Sequence, residues 1–152
     1  MREHLRESLV QISIDRLFVF AFHAFEERLL HRIHATGHLE IKYIHFNLFR
    51  NIDSPAGTRL VDLARRVGIT KAAIGQLARE GERLGLFTIK SDISDGRAKI
   101  IQFTKSGMKL HRVFRAQILA MERDFKKLLG AKRYRTLRED LLFLRARLTE
   151  SE

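Results

Sequence analysis

The stretch TRLVDLARRVGITKAAIGQLAR, residues 58–79, decides the fold that we predict for this chain. Apolar residues recur at helical spacing on both sides of Gly68, and glycine readily adopts the left-handed conformation that ends a helix. Thr58 and Thr70 stand where a threonine side chain can cap the start of each helix. The stretch therefore predicts two helices joined by a tight turn.

The second predicted helix has an inner and an outer face. Ile74 and Leu77 step along the inner face, and the small Ala64 lets the first helix cross closely. The outer face consists of Lys71, Ala72, Gly75, Gln76 and Arg79. This arrangement is typical of a helix-turn-helix, whose second helix reads DNA, but a helical hairpin within a bundle uses the same small and apolar residues.

A β-hairpin is predicted directly after these two helices. Strand-like runs near Phe87–Lys90 and Arg97–Phe103 flank a polar loop that contains the turn pair Asp95 and Gly96. A hairpin next to the helix pair, in a basic chain, favours a winged helix-turn-helix over a bundle hairpin.

Longer helices are predicted on both sides of this region. The first covers Leu5–Ile33, and around Leu17–Phe20 its apolar residues occupy more than one face, so a partner subunit is expected to cover the excess. A shorter helix is predicted for about Glu40–Arg50.

Two helices are also predicted after Thr104, which can cap the first of them. Apolar residues recur every three or four positions from Leu110 to Leu128 and from Tyr134 to Leu148. Gly130 lies between the two runs and is expected to end the first of these helices.

The fold class that follows is mainly α with a small β-hairpin wing (α+β). We predict one domain over residues 1–152. Within it, a winged helix-turn-helix DNA-binding lobe covers residues 39–104, and residues 1–36 and 105–150 form dimerisation helices.

Charge is unevenly distributed along the chain, whose formal net charge is +11. Residues 1–57 are balanced, whereas residues 58–107 hold ten Lys and Arg against five Asp and Glu, and residues 108–152 hold twelve against six. Such a surplus indicates a polyanionic partner, here double-stranded DNA, although a basic surface that serves only solubility is the alternative.

Other features limit the classes of protein to consider. Cysteine is absent, which excludes disulfides, thiolate metal sites and thiol redox sensing and favours a cytoplasmic setting. The apolar run Leu17–Phe22 is too short to cross a membrane. No phosphate-binding glycine loop or catalytic serine elbow is recognisable, so we predict no enzyme and no cofactor.

Four segments resemble the MarR family of transcription regulators in order and spacing: residues 58–71, 82–86, 92–99 and 103–107. The resemblance implies a homodimer in which the second helix of the pair enters the major groove and the hairpin loop reaches the minor groove. It also implies a small aromatic or anionic effector between the dimerisation and DNA-binding lobes. Gly96 departs from the family pattern, because many members carry a second arginine there.

The DNA contacts are predicted on the second helix and the wing. Lys71 suits a phosphate or a guanine edge, Gln76 an adenine, and Arg79 a base or a phosphate. Arg97 matches the family's wing arginine, and its alternative role is an ion pair with Asp92 or Asp95; the family pattern favours both roles together. The whole predicted set is Arg59, Thr70, Lys71, Ala72, Gln76, Arg79, Lys90, Arg97 and Lys99.

Three histidines have a spacing that could suggest a metal site. His31, His34 and His38 have helical spacing but no acidic or thiol ligand in register, so solvated or partly buried histidines are favoured over a metal site.

Gly81 falls on the inner face of the second predicted helix, where the family usually has leucine. Because the resemblance places leucine there in an otherwise similar helix, we expect the site to be vacant and Gly81→Leu to stabilise the chain; the alternative is a clash, if Phe46 or Phe87 already fills it.

The function predicted from the sequence is a sequence-specific double-stranded DNA-binding regulator, as a ligand-responsive repressor. A low-specificity architectural or nucleoid protein is the alternative, because phosphate contacts alone give binding without sequence preference. A winged module that has kept the fold for protein contacts is a third reading.

Overall fold

The computed structural model describes residues 12–149 of the chain. Its elements, in order, are α1 (Ile14–His34), a short 3-10 helix (Tyr43–His45), α2 (Phe46–Asn51), β1 (Thr58–Arg59), α3 (Leu60–Val67), α4 (Lys71–Arg83), β2 (Phe87–Ser91), β3 (Lys99–Phe103), α5 (Lys105–Leu129) and α6 (Ala131–Thr149). The prediction of a mainly helical chain with a small sheet is confirmed. Residues 5–11 of the predicted first helix lie outside the described residues.

Several helix boundaries follow from single residues, as predicted. Gly68 ends α3 at a φ of 74°, and Gly130 separates α5 from α6 at a φ of 78°. The Thr70 hydroxyl accepts a hydrogen bond from the Ala73 N–H over 3.1 Å at the start of α4. Thr104 precedes α5 and caps its first turn.

Two predictions about the region before α3 are wrong. Thr58 does not cap α3; it lies in β1, its hydroxyl donates to the Asp53 carboxylate over 3.1 Å, and Arg59 takes the cap position. The helix predicted for Glu40–Arg50 begins only at Tyr43, as a 3-10 turn that continues into α2. Here the His45 ring accepts the Lys42 N–H over 3.1 Å and fixes the start of the turn.

The sheet has three antiparallel strands in the order β1-β3-β2. Thr58 of β1 lies opposite Ile101, and Phe87 of β2 lies opposite Phe103. β3 begins at Lys99 rather than at Arg97, which lengthens the loop of the hairpin. Since β1 adds a third strand beside β3, the hairpin is attached directly to the start of α3.

An aromatic core lies beneath the helix pair. The Phe49 ring centroid is 5.5 Å from that of Phe87 and 5.3 Å from that of Phe114, and Phe46 and Phe103 extend the cluster. α4 packs on α3, β2 and the 3-10 helix. The core therefore fixes the inner face of α4 and leaves its other face outward.

The backbone divides after Phe114 into two compact units. In the first unit, α1 exposes Phe18, Val19, Phe20 and Phe22. In the second unit, α6 exposes Leu137, Leu141, Leu142, Phe143, Leu144 and Leu148. Among residues 12–149, the helices include none that is both long and apolar enough to cross a membrane.

Candidate nucleic-acid interface

The tight turn between α3 and α4 is set by backbone hydrogen bonds around Gly68. The N–H groups of Gly68 and Ile69 donate to the Ala64 carbonyl over 2.9 and 3.1 Å, which closes the last turn of α3. The left-handed glycine then reverses the chain, and Thr70 starts α4 two residues later. This geometry is a helix-turn-helix, with α4 in the position of the recognition helix.

The outer face of α4 carries most of the predicted DNA contacts. Ile74 and Leu77 are buried, as predicted. Gly75 was predicted to be exposed and is buried instead. The residues predicted to contact DNA at the start and along the outer face of α4 are all exposed: Thr70, Lys71, Ala72, Gln76 and Arg79.

The inner site at Gly81 is filled, which corrects the expectation that a leucine there would stabilise the chain. A Cβ atom at position 81 would overlap Cδ2 of Phe87 and would lie 2.8 Å from its Cε2. The same atom would lie 3.5 Å from the Leu48 side chain. The ring of Phe87 therefore takes the space that a larger residue at position 81 would need.

The wing is held to the start of α3 by Arg59, a contact that the sequence analysis missed. The Arg59 Nε donates to the Asp92 carboxylate over 2.6 Å, and its guanidinium also donates to the Ser94 hydroxyl over 3.0 Å. Hydrogen bonds from the Ser94 hydroxyl and N–H, and then Arg59, lower the pKa of the largely buried Asp92 below its usual value. Asp92 thus remains a carboxylate that anchors the wing loop.

Arg97 does not form the ion pair that was expected. Asp92 is taken by Arg59, and Asp95 accepts the backbone N–H of Arg97 over 3.1 Å rather than its guanidinium. Within the described residues no carboxylate pairs with the exposed Arg97 side chain. The wing arginine is therefore available for a phosphate or a groove, while Arg59, also predicted to contact DNA, is engaged with Asp92.

A basic cleft brings the helix pair and the wing together. It has a volume of about 370 Å³ and is lined by Arg59, Leu60, Val61, Lys71, Asp95, Arg97, Ala98 and Lys99. The lining contains four cationic side chains and one carboxylate. Lys90 lies on β2, outside this lining, and is exposed. Lys71 of α4 and Arg97 of the wing thus share a basic surface, which suits a polyanion.

The far end of α4 is anchored by Glu80. The Lys42 ammonium lies 2.7 Å from Glu80 Oε1, and this hydrogen bond is the main cause of the lowered pKa of Glu80. The fully buried His45 places Nε2 3.5 Å from the same oxygen, and Nε2 has no hydrogen-bond partner among the described residues. Sequence spacing gave no sign of this cluster, because Lys42 and Glu80 are 38 residues apart.

A second cleft borders the same cluster. It has a volume of about 580 Å³ and lies between α1 and the segment that follows residue 41. Its lining is Phe22, His23, Glu26, Glu27, Lys42, Tyr43, Ile44 and Asn47. Glu26 is already paired with Arg50. Lys42 therefore belongs both to this cleft and to the anchor of α4.

The histidines considered as a metal site have other environments. The ring Nε2 of His34 hydrogen-bonds the Ile41 carbonyl over 2.8 Å, and His38 lies 3.5 Å from Glu40. In residues 12–149 there is no group of three His, Asp or Glu side chains arranged to hold a metal ion.

Burial of His45 predicts a pH dependence of stability. Burial lowers the pKa of His45 below its usual value, so the folded protein keeps the ring neutral where the unfolded chain already binds a proton. The contribution of His45 to the free energy of unfolding is complete above the unfolded pKa of about 6.5 and falls as the pH drops below it. His45→Asn keeps an acceptor for Lys42 but does not titrate.

We expect the stability difference between wild type and His45→Asn to be constant above pH 7.5 and to narrow steadily from pH 7 to pH 5. Chemical denaturation at each pH measures it. His31→Asn, which changes an exposed histidine of α1, is the control. A difference that stays constant down to pH 5 would contradict the prediction.

Comparison with known proteins finds similarity in structure. Neither a protein-family model nor a curated protein sequence matches the chain. The crystal structure of MarR is similar with a TM-score of 0.76 at 17% identity, over 91% of this chain and 99% of that one. The S. aureus MepR–DNA complex has a TM-score of 0.74 at 20% identity, over 90% and 98%.

A third structure, of the PcaV transcriptional regulator from Streptomyces coelicolor with its natural ligand, has a TM-score of 0.58 at 21% identity, over 74% and 77%. The matches to MarR and MepR extend over nine-tenths of the chain. The chain has the winged helix-turn-helix fold of the MarR-family transcriptional regulators.

Proposed function

We propose that this protein is a dimeric, non-enzymatic transcription regulator of the MarR family that binds double-stranded DNA sequence-specifically. The observation that carries the proposal is the basic cleft, in which Lys71 of α4 and Arg97 and Lys99 of the wing come together. A module that used the winged fold only for protein contacts would have no need of clustered, solvent-facing cations at this place.

In this proposal α4 enters the major groove. Gln76 is on its exposed face and has the amide geometry that pairs with adenine N6 and N7. Lys71 stands at the start of the helix, where the backbone N–H groups also favour a phosphate. Arg79, two turns further along, contacts a phosphate or a base. Arg97 of the wing enters the adjacent minor groove, whose negative potential attracts arginine.

The apolar residues that α1 and α6 leave exposed support a two-fold dimer. Closed two-fold pairing is the commonest way to bury such surfaces, and a two-fold protein binds an inverted repeat. The shape of the site on DNA is therefore expected to mirror the symmetry of the protein.

The finer proposal is a ligand-responsive repressor. Its support is the 580 Å³ cleft, a suitable size for a small molecule, whose apolar lining includes Phe22, Tyr43 and Ile44. Lys42 joins this cleft to Glu80 on the recognition helix. A small aromatic or anionic effector that draws Lys42 away would loosen the anchor of α4 and weaken DNA binding.

Selection of genomic DNA fragments by the purified full-length protein tests the proposed function. The expected result is a small set of fragments that share an inverted repeat, bound at least 10³-fold more tightly than random duplex at the same salt concentration. Equal affinity for all duplexes would instead favour the architectural alternative. Absence of salt-dependent DNA binding would contradict both.

Arg97→Ala is predicted to weaken operator binding several-fold and to leave the melting temperature unchanged. The side chain contributes to the basic cleft, but the loop hydrogen bond at this residue uses its backbone N–H, which alanine keeps. Gel-shift titration at constant salt and a thermal melt measure the two effects. Arg112→Ala, which removes an exposed cation of α5, is the control; an equal loss in both variants would contradict a specific role for Arg97.

A further inference from the structure

An isoleucine stands fully exposed on the wing. The relative exposure of Ile93 is 105%, the highest among the exposed large apolar side chains of the described residues. Most of the others lie on helices, and Ile93 alone lies on the wing loop. The wing loop and its flanking strands also carry Lys90, Arg97 and Lys99, and the last two line the basic cleft together with the carboxylate of Asp95.

Hydrogen bonds of Asp92 and Ser94, the residues on both sides of Ile93, keep the Ile93 side chain pointing outward from the wing loop. Asp92 is anchored by Arg59, and Ser94 is bound to Asp92 through its N–H and its hydroxyl, each over 2.8 Å. The Asp92 N–H donates to the Ala98 carbonyl over 3.0 Å and closes the base of the loop. Turning Ile93 inward would break these bonds, so the loop presents an apolar side chain at a fixed position.

We infer that Ile93 is a minor-groove specificity residue that selects A·T pairs beneath the wing. The inference rests on the proposed function. A cationic surface with one projecting apolar side chain fits the minor groove, whose edges are phosphates and whose walls are sugars. Its floor at A·T pairs offers only acceptor atoms, whereas guanine adds a 2-amino group there. That group occupies the space that the isoleucine side chain needs.

In this arrangement Arg97 contributes mainly to affinity and Ile93 mainly to sequence discrimination. Arginine senses the electrostatic potential of a narrow groove and tolerates many sequences. A branched apolar side chain distinguishes A·T from G·C pairs by steric exclusion, because the guanine 2-amino group fills the space on the groove floor that the side chain needs. Ile93→Ala should therefore reduce discrimination more than affinity, and Arg97→Ala should do the reverse.

The test begins with an operator selected from random duplexes and footprinted to find the pairs beneath the wing. Each of those pairs is then made A·T, G·C or inosine·cytosine. An inosine·cytosine pair has the minor-groove face of A·T and the major-groove face of G·C. For wild type we expect equal affinity with A·T and inosine·cytosine, and roughly tenfold weaker binding with G·C.

Ile93→Ala should bind all three operators within about twofold of one another, because its methyl group leaves room for the 2-amino group. Leu39→Ala, which shortens another exposed apolar side chain outside the wing, is the matched control and should discriminate as wild type does. Thermal melts establish that both variants are folded.

Three results would overturn the inference: inosine·cytosine behaving like G·C, Ile93→Ala keeping the tenfold discrimination, or no preference for A·T beneath the wing. If the wild-type protein shows no sequence-specific DNA binding at all, that result would instead refute the proposed function itself. The wild-type selection step distinguishes the two failures before any variant is made.

Discussion

Gly107→Ala should destabilise the folded chain by about 3 kcal/mol, which corresponds to a fall of roughly 6–12 °C in melting temperature. Gly107 lies in the first turn of α5, directly against the backbone of Leu86. A Cβ atom at position 107 would overlap the Leu86 carbonyl oxygen and would lie 2.8 Å from its carbonyl carbon. The clash is with backbone, so no side-chain rotation relieves it.

The Leu86 carbonyl has little freedom to move away. It accepts the Thr104 N–H over 3.0 Å, and the Thr104 hydroxyl donates to the neighbouring Gly85 carbonyl over 2.6 Å. The same hydroxyl accepts the Gly107 N–H over 3.0 Å. Thr104 and Gly107 together thus dock the start of α5 on the turn before β2.

Gly96→Ala is the matched control for this substitution. Gly96 lies in the wing and does not adopt a positive φ. A Cβ atom at this position would have no atom of another residue within 4 Å. There, alanine should leave stability unchanged or raise it slightly through the lower entropy of the unfolded chain. In a helix alanine is favoured over glycine by about 0.5–1 kcal/mol, so an unchanged or higher melting temperature for Gly107→Ala would refute the docking contact.

The sequence was sufficient to predict elements whose ends depend on one local residue. Gly68, Thr70, Thr104 and Gly130 each mark a boundary through a short-range conformation or hydrogen bond, and each boundary is where the sequence places it. The helix pair and the hairpin were predictable for the same reason, because their apolar spacing is a local property of the chain.

Features that depend on distant residues were not predictable. β1 is only two residues long and exists because Thr58 and Arg59 pair with Ile101 and Ile100. A two-residue strand has no pattern of its own. The late start of the helix predicted from Glu40 has a different, local cause: the His45 ring accepts the Lys42 N–H three residues away and fixes a 3-10 turn, a contact that apolar spacing does not reveal.

The candidate site shows the same division. Outward positions on α4 followed from helical spacing, and four of the five residues placed there are exposed; Gly75 is the exception. Arg97 was expected to pair with Asp92 or Asp95 on the same loop, but the fold brings Arg59 to Asp92 from 33 residues away. Sequence proximity was a poor guide because β1 places Arg59 beside the base of the wing.

Gly81→Leu and Gly81→Ala should both lower the stability of the chain, leucine more than alanine. Alanine gains about 0.5–1 kcal/mol in a helix interior, but overpacking a filled site costs about 1–3 kcal/mol. The net loss for alanine is therefore on the order of 1 kcal/mol, and it should exceed roughly 3 kcal/mol for leucine, whose whole side chain has to displace the Phe87 ring. Thermal and urea denaturation measure both losses.

The ring of Phe87 cannot move away easily from a side chain at position 81, because it is packed against two other rings. Its centroid lies 5.5 Å from that of Phe49 and 5.2 Å from that of Phe103. Gly75→Ala is the control on the same helix: a Cβ there meets only the flexible end of Arg79, at 3.6 Å, so alanine should be neutral or stabilising.

A double-mutant cycle isolates the contact between positions 81 and 87. Phe87→Leu removes Cε2, which would lie 2.8 Å from a Cβ at position 81, and replaces the rigid ring by a smaller side chain that can rotate away, so Gly81→Ala should cost little or even stabilise in that background. The coupling between the two substitutions should then reach about 1–2 kcal/mol. Additive losses would show that Gly81 is required for another reason, and higher melting temperatures for both Gly81 variants would show that the site beneath the recognition helix is vacant after all.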